Sequence, residues 1–373
     1  MAGGSPGGPA PDLSPGGPAP ELALGDFRPR QALRLPEHQV ERPRFPVVDA
    51  HNHLGSAFGG DWAGRVAADL ARVMDASGVD ALVDLDGGWG VDLRREIERW
   101  QAPLPGRVAV FAGLDYAMWA TEPRFGDVEA GRLREGVAAG ARGLKVWKLL
   151  GLRALDVAGR LVPVDDARLD PLWAAAGELG VPVTIHVADP IAFFEPLDAR
   201  NERWEELQAH PDWHFWPTRP AGRPDLAGFP PFDELVDGLE RVVVRHPGTT
   251  FVGAHVGCAA EDLSRVSVML ERAPNLHVDL AARIGELGRQ PYTTRAFIER
   301  WQDRVLFGTD MAPDPAWWSV YYRFLETRDE SFPYDADPDE PPSQGRWRIH
   351  GLGLPDDILR KVYRDNARRL IRF

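Results

Sequence analysis

One cysteine in 373 residues, Cys258, excludes an intramolecular disulfide and suits a reducing compartment. Basic residues are outnumbered: 43 Lys and Arg against 56 Asp and Glu give a net charge of -13, the wrong sign for a nucleic-acid or anionic-membrane binder. No apolar run approaches the roughly twenty residues needed to span a bilayer. No Gly-x-Gly-x-x-Gly follows the first apolar run, so the dinucleotide fingerprint is missing. The start of the chain has neither the basic opening nor the apolar centre of a secretory signal. These absences lead to an expected cytoplasmic protein with a small-molecule partner, no nucleic-acid or membrane partner, and homo-oligomerisation left open.

What is present begins with a tail, residues 1–21, whose Gly, Pro and Ala cannot bury enough surface to order it; disorder is expected there. Residues 22–44 are expected to form an arm, with Phe27 to Val40 packing on the main domain, which runs over residues 45–373. From Phe45 onward one phrase repeats: a short β-branched run, a polar or glycine-containing turn, then a helical pattern. The strand candidates are Phe45 to Val48, Val79 to Leu85, Val108 to Leu114, Leu144 to Trp147, Val181 to Val187, Thr250 to Ala254, Leu276 to Leu280 and Val305 to Gly308. Strands alternating with helices pair in parallel, and this number fits a closed (β/α)8 TIM barrel better than a doubly wound open sheet. Two stretches interrupt the repeat, Asp189 to Pro231 after strand five and Pro313 to Leu354 after strand eight. Both are rich in aromatic residues and would leave from the catalytic face, as a lid or a subunit interface.

In such a barrel the reacting groups stand at the C-terminal strand ends. His51 and His53 close strand one in Val47-Val48-Asp49-Ala50-His51-Asn52-His53. His186 closes strand five, His255 strand six, and Asp310 strand eight in Gly308-Thr309-Asp310. Alternation along a strand puts His51 and His53 on one face, so two imidazoles can converge on one ion. Five such side chains at predicted strand ends make coincidence a poor account and point to a metal site.

These residues resemble the amidohydrolase superfamily, and more narrowly the amidohydrolase-related branch that includes aminocarboxymuconate-semialdehyde decarboxylase. The likeness spans roughly Phe45 to Asp310, and Asp365-Asn366-Ala367-Arg368-Arg369-Leu370 is similar to the closing helix of many members. The resemblance implies His51, His53, His186 and Asp310 as metal ligands and His255 as acid/base residue or second-metal ligand. Two-metal members carry a carbamylated lysine on the fourth strand, where Lys145 stands. The preferred reading keeps Lys145 as an amine, with one divalent ion, Zn2+ as the expected identity, and two ions only if Lys145 is carbamylated.

The chemistry can be argued from the side chains alone. A divalent ion held by imidazoles and a carboxylate lowers the pKa of bound water to about 7. Asp310 would take a proton from it, and His255, near its usual pKa of about 6.5, would deliver one to a leaving group. The leading expectation is a metal-dependent hydrolase of amides, lactones or esters. The alternative is a metal-dependent non-oxidative decarboxylase of a small unsaturated or aromatic acid, and a third reading is a non-catalytic binding protein. Lys145, Asp115 and Arg283 are the weaker candidates for substrate contact, Arg283 through its planar fork. Asp49 is expected to share the face of His51 and His53, one layer deeper. Asp279 is a further candidate for substrate contact.

Overall fold

A computed structural model describes residues 21–23, 26–27, 31–55, 60–216, 228–335 and 343–373. The tail expected over residues 1–21 lies outside them, Glu21 apart. The chain divides into two compact units, Met1–Leu35 and Pro36–Phe373, and the second contains all eight strands.

Those strands are β1 (Val47–Asn52), β2 (Val79–Asp84), β3 (Val108–Val110), β4 (Leu144–Val146), β5 (Val183–Ile185), β6 (Phe251–Gly253), β7 (Leu276–Asp279) and β8 (Val305–Leu306), each overlapping an expected segment. All pair in parallel, in ladders β1-β2-β3 and β4-β5-β6-β7-β8. Single bridges join the ladders. Ala112 pairs with Leu144 between β3 and β4, and the Lys145 amide donates to the Ala112 carbonyl at 2.7 Å. At the other seam the Ala50 amide donates to the Phe307 carbonyl at 2.9 Å, and the Asp310 amide to the His51 carbonyl at 2.8 Å. The ring is therefore closed, and the fold is a (β/α)8 barrel.

Strand periodicity sorts the side chains into two layers. Val48, Ala50, Ala81, Val83, Leu85, Ala109, Phe111, Val252 and Leu306 fill the barrel, with Ala367 of the C-terminal helix and Ile371 just past its end joining the same cluster. Alternate residues, including Leu82, Val108, Val146, Ile185 and Val278, pack outward against the helices. The helix Phe232–Arg245 follows the expected stripe, burying Leu235, Val236, Leu239, Val242 and Val243. Asp262 caps Leu263–Arg272 by accepting from the amides of Ser264 and Arg265. Among the described residues no helix is long and apolar enough to cross a membrane.

The insertion after β5 folds into short turns, Ile191–Phe194 and Pro211–Trp213, around the helix Trp204–Ala209. The insertion after β8 supplies the helix Pro315–Glu326. Trp317 of that helix lines a cavity beside Asp310, whereas its other aromatic side chains close a core. Trp318, Tyr321, Tyr322 and Phe324 are buried, and Phe307 packs against Tyr321 and Tyr322 in a satellite core.

The first insertion is pinned by Arg203, which is 1% exposed. It donates to Glu206 at 2.7 Å and to Glu286 beyond β7, and it faces Trp347 of the second insertion. Replacing it leaves the buried carboxylate of Glu286 uncompensated, a change that typically costs about 3–5 kcal/mol. Denaturant titration of Arg203→Met should show a loss of that size; an unchanged midpoint would refute the pinning role.

Candidate metal centre

The first strand reaches the site through an irregularity that periodicity alone does not anticipate. Asp49 pairs with Leu82 and Asn52 with Asp84, so β1 spends one more residue than β2 over the same span. The bulge resets the alternation. Asp49 does not share the face of His51 and His53, as had been expected; it accepts hydrogen bonds from Trp318 Nε1 at 2.9 Å and Thr309 Oγ1 at 2.7 Å, on the helix side. His51 and His53 are turned together to the mouth of the barrel, where Asp310 meets them.

Asp310 Oδ1 lies 3.0 Å from His51 Nε2 and 2.9 Å from His53 Nε2. Each ring is held from behind by a second carboxylate. His51 Nδ1 donates to Asp279 Oδ2 at 2.8 Å, and His53 Nδ1 to Asp86 Oδ1 at 2.8 Å. Fixing Nδ1–H on a carboxylate aims the Nε2 lone pair at a common point, the arrangement that orients histidines toward a cation. His51, His53 and Asp310 offer ligand atoms all within 4.8 Å of one another, and so do His51, His255 and Asp279. The donor set fits a divalent metal.

Electrostatics agree. Burial of His53 favours its neutral form, but hydrogen bonds to Asp310 and Asp86 outweigh this and raise its pKa to about 9. Burial works against the Asp310 carboxylate too, yet His51, together with the hydrogen bonds from His51 and His53, holds it well below the usual carboxylate range. A proton thus occupies at His53 the place that a cation would take. Below about pH 9 a metal must displace it, so apparent affinity should fall by about tenfold per pH unit below that value. Calorimetry at pH 7 in buffers of differing ionisation heat should register one proton released per ion; an affinity independent of pH would contradict this.

His255 stands beside this group, with Nε2 3.8 Å from Asp310 Oδ2. Its amide donates to Asp279 Oδ1 and its Nδ1 to the Ala281 carbonyl, each at 2.9 Å, so Nε2 is left as the basic nitrogen. The expected near-normal pKa is not found: burial, with His186 next in effect, pushes it well below 6.5, and the ring is neutral. His255 and Asp310 both adopt left-handed backbone, φ 58° and 62°, and Val256 follows at 60°. Such conformations cost about 1–3 kcal/mol each and persist where the surroundings impose them.

His186 is not brought into the converging set. Its ring lies 4.3 Å from that of His255, but Nε2 donates to the Ala188 carbonyl at 3.1 Å and meets Asp189 Oδ1 at 3.3 Å. With the proton on Nε2, the lone pair of the ring is on Nδ1. The turn Val187-Ala188-Asp189 supplies both acceptors, and Asp189 in turn pairs with Lys148.

Lys145 points into the barrel as expected. It is fully buried, with Nζ 3.1 Å from His51 Nε2 and 4.8 Å from the Trp147 ring centre. Burial lowers its pKa, against the pull of Asp310 and Asp279. Asp115 is tied to Arg132 at 2.9 Å, and Arg283, 5% exposed, donates to the Ala282 carbonyl. Asp279 orients His51 and His255, a different part from the substrate contact expected of it. Asp86 was missed, though an acidic residue just past a strand in Leu82-Val83-Asp84-Leu85-Asp86-Gly87-Gly88 was the available signal. Trp147, stacked on His53 at 5.3 Å and 30°, was read only as part of a strand.

The sequence profile of the amidohydrolase family matches residues 48–373. The chain belongs to the amidohydrolase family. The resemblance to its amidohydrolase-related branch is borne out, and the protein is a metal-dependent enzyme of that superfamily. No curated protein sequence matches significantly. Among solved structures the chain is similar to 2,6-dihydroxybenzoate decarboxylase from Rhizobium, at 17% identity and a TM-score of 0.53 over 87% of this chain and 98% of that one. It is also similar to a dihydroxybenzoic acid decarboxylase from Polaromonas sp. JS666 with bound manganese and 2-nitroresorcinol, at 15% identity and 0.53 over 87% and 96%. A 5-carboxyvanillate decarboxylase from Sphingomonas paucimobilis gives 14% and 0.51 over 88% and 99%. At these identities the likeness establishes the shared barrel.

Proposed function

We propose that this amidohydrolase is a metal-dependent, non-oxidative decarboxylase of an aromatic or unsaturated carboxylic acid. The observation that carries the reading is the division of labour on Asp310: Oδ1 faces both His51 and His53, while Oδ2 faces the neutral His255. One carboxylate thus joins an ion site to a proton-transfer pair. His51, His53 and Asp310 would hold one divalent ion, with manganese as apt as the expected Zn2+, since one similar enzyme binds it. When bound, the ion supplies orientation of the substrate's oxygens and stabilisation of negative charge. The carbon–carbon bond to the carboxylate breaks, carbon dioxide leaves with its oxygens, and the carbon keeps the electron pair. A solvent proton taken up at His255 Nε2, beside Asp310, is passed to the vacated position.

Hydrolysis, the leading expectation from the sequence, draws less support. The similar solved structures named above are decarboxylases, and the cavity beside the centre is walled chiefly by apolar and aromatic groups. Incubating manganese- or zinc-loaded protein with dihydroxybenzoates and related acids should release one carbon dioxide per acid consumed. Turnover of lactones or amides in place of carbon dioxide release would restore the hydrolase reading.

A further inference from the structure

A cavity of about 550 Å³ opens on the His53 side of the barrel mouth. Its walls come from the loops after β1 to β4: Gly55, Leu85 and Asp86, Gly88 and Trp89, Gly113 to Ala117, and Trp147 to Leu149. Three aromatic side chains face it, Trp89, Tyr116 and Trp147. Tyr116 Oη accepts from the Trp147 amide at 2.8 Å, locking two walls together, and Trp147 stacks on the metal-facing His53. The charged groups in the lining are each committed. Asp86 holds His53, Asp115 holds Arg132, and Lys148 holds Asp189. The surface left for a ligand is flat, aromatic and apolar, immediately beside the candidate metal centre.

We propose that this chamber seats the ring of the substrate, with Trp89 and Tyr116 as the residues that set ring size. The proposal rests on the decarboxylase reading for its placing of the acid at the metal, but the ring seat is tested by binding alone. The chamber's volume suits one or two fused rings, within the range of small-ligand sites. Planar rings gain from offset stacking on tryptophan and tyrosine beyond the area they bury.

The experiment titrates acetate, benzoate and 2-naphthoate into the manganese-loaded protein by calorimetry. Benzoate and naphthoate should bind at least about tenfold more tightly than acetate, given the apolar area a ring buries. Trp89 is 39% exposed and stands outside the metal centre, so Trp89→Ala should fold and reduce that preference severalfold. Ala117→Trp, which fills the chamber from its rim, should weaken naphthoate by tenfold or more and leave acetate unchanged. Absence of a ring preference in the unaltered protein, or a preference untouched by both substitutions, would overturn the proposal. A ring preference lost in the variants, with no carbon dioxide released from any acid, would uphold the chamber and remove only the decarboxylase reading.

Discussion

Asp310→Asn should reduce bound metal from about one equivalent per chain to near zero and lower turnover by at least about a thousandfold, equivalent to about 4 kcal/mol. The substitution keeps the shape of the side chain and removes its charge. Oδ1 is the atom on which both imidazoles converge, and Oδ2 is the one that faces His255, so a neutral amide weakens the ion site and interrupts the proton path together. Metal analysis after dialysis and steady-state kinetics check the two effects separately. Retention of metal with full turnover would dismiss Asp310 from both roles.

Asp86→Ala should be milder but still large, about 10–100-fold in metal affinity, the usual consequence of releasing the group behind a metal-facing histidine. Without Asp86 the His53 ring is free to turn, and its Nε2 no longer points at Asp310 by default. Gly55→Ala should act in the same direction, because a Cβ there would come within 2.7 Å of Asp86 Cβ and push that carboxylate away. The Gly55 amide also donates to Asp86 Oδ2 at 2.8 Å. Competition with a chelator of known affinity reads the change directly. An Asp86→Ala protein that binds metal as the unaltered one does would show that packing against Trp147 alone orients His53.

The repeat of strands and helices was legible because burial on both faces of a barrel strand leaves an apolar, β-branched run in the chain. His51, His53, His255 and Asp310 were legible because parallel strands deliver their ends to one mouth. Lys145 was placed inward correctly by alternation with Leu144 and Val146, which pack outward. Asp49 was misplaced by the same rule, since a bulge shifts the alternation by one residue and leaves no mark in composition. His186, expected as a ligand, has its Nε2 on the Ala188 carbonyl, and nothing in the sequence tells which nitrogen of a ring will find a carbonyl behind it. The aromatic insertions were expected as a lid or a subunit interface. Their size was visible, but whether a tyrosine closes a core or a cavity depends on what packs against it.

The sequence by itself determined the barrel and the strand ends that meet, because both follow from local periodicity and chain order, and the residues at those ends carried the resemblance to the family. Only the tertiary structure decided that Asp86 and Asp279 hold the paired imidazoles, that His186 turns its Nε2 away, and that Trp89, Tyr116 and Trp147 form a wall. Those are contacts between segments far apart in the chain, fixed by backbone irregularities and by the directions of single hydrogen bonds, to which a one-dimensional pattern is blind.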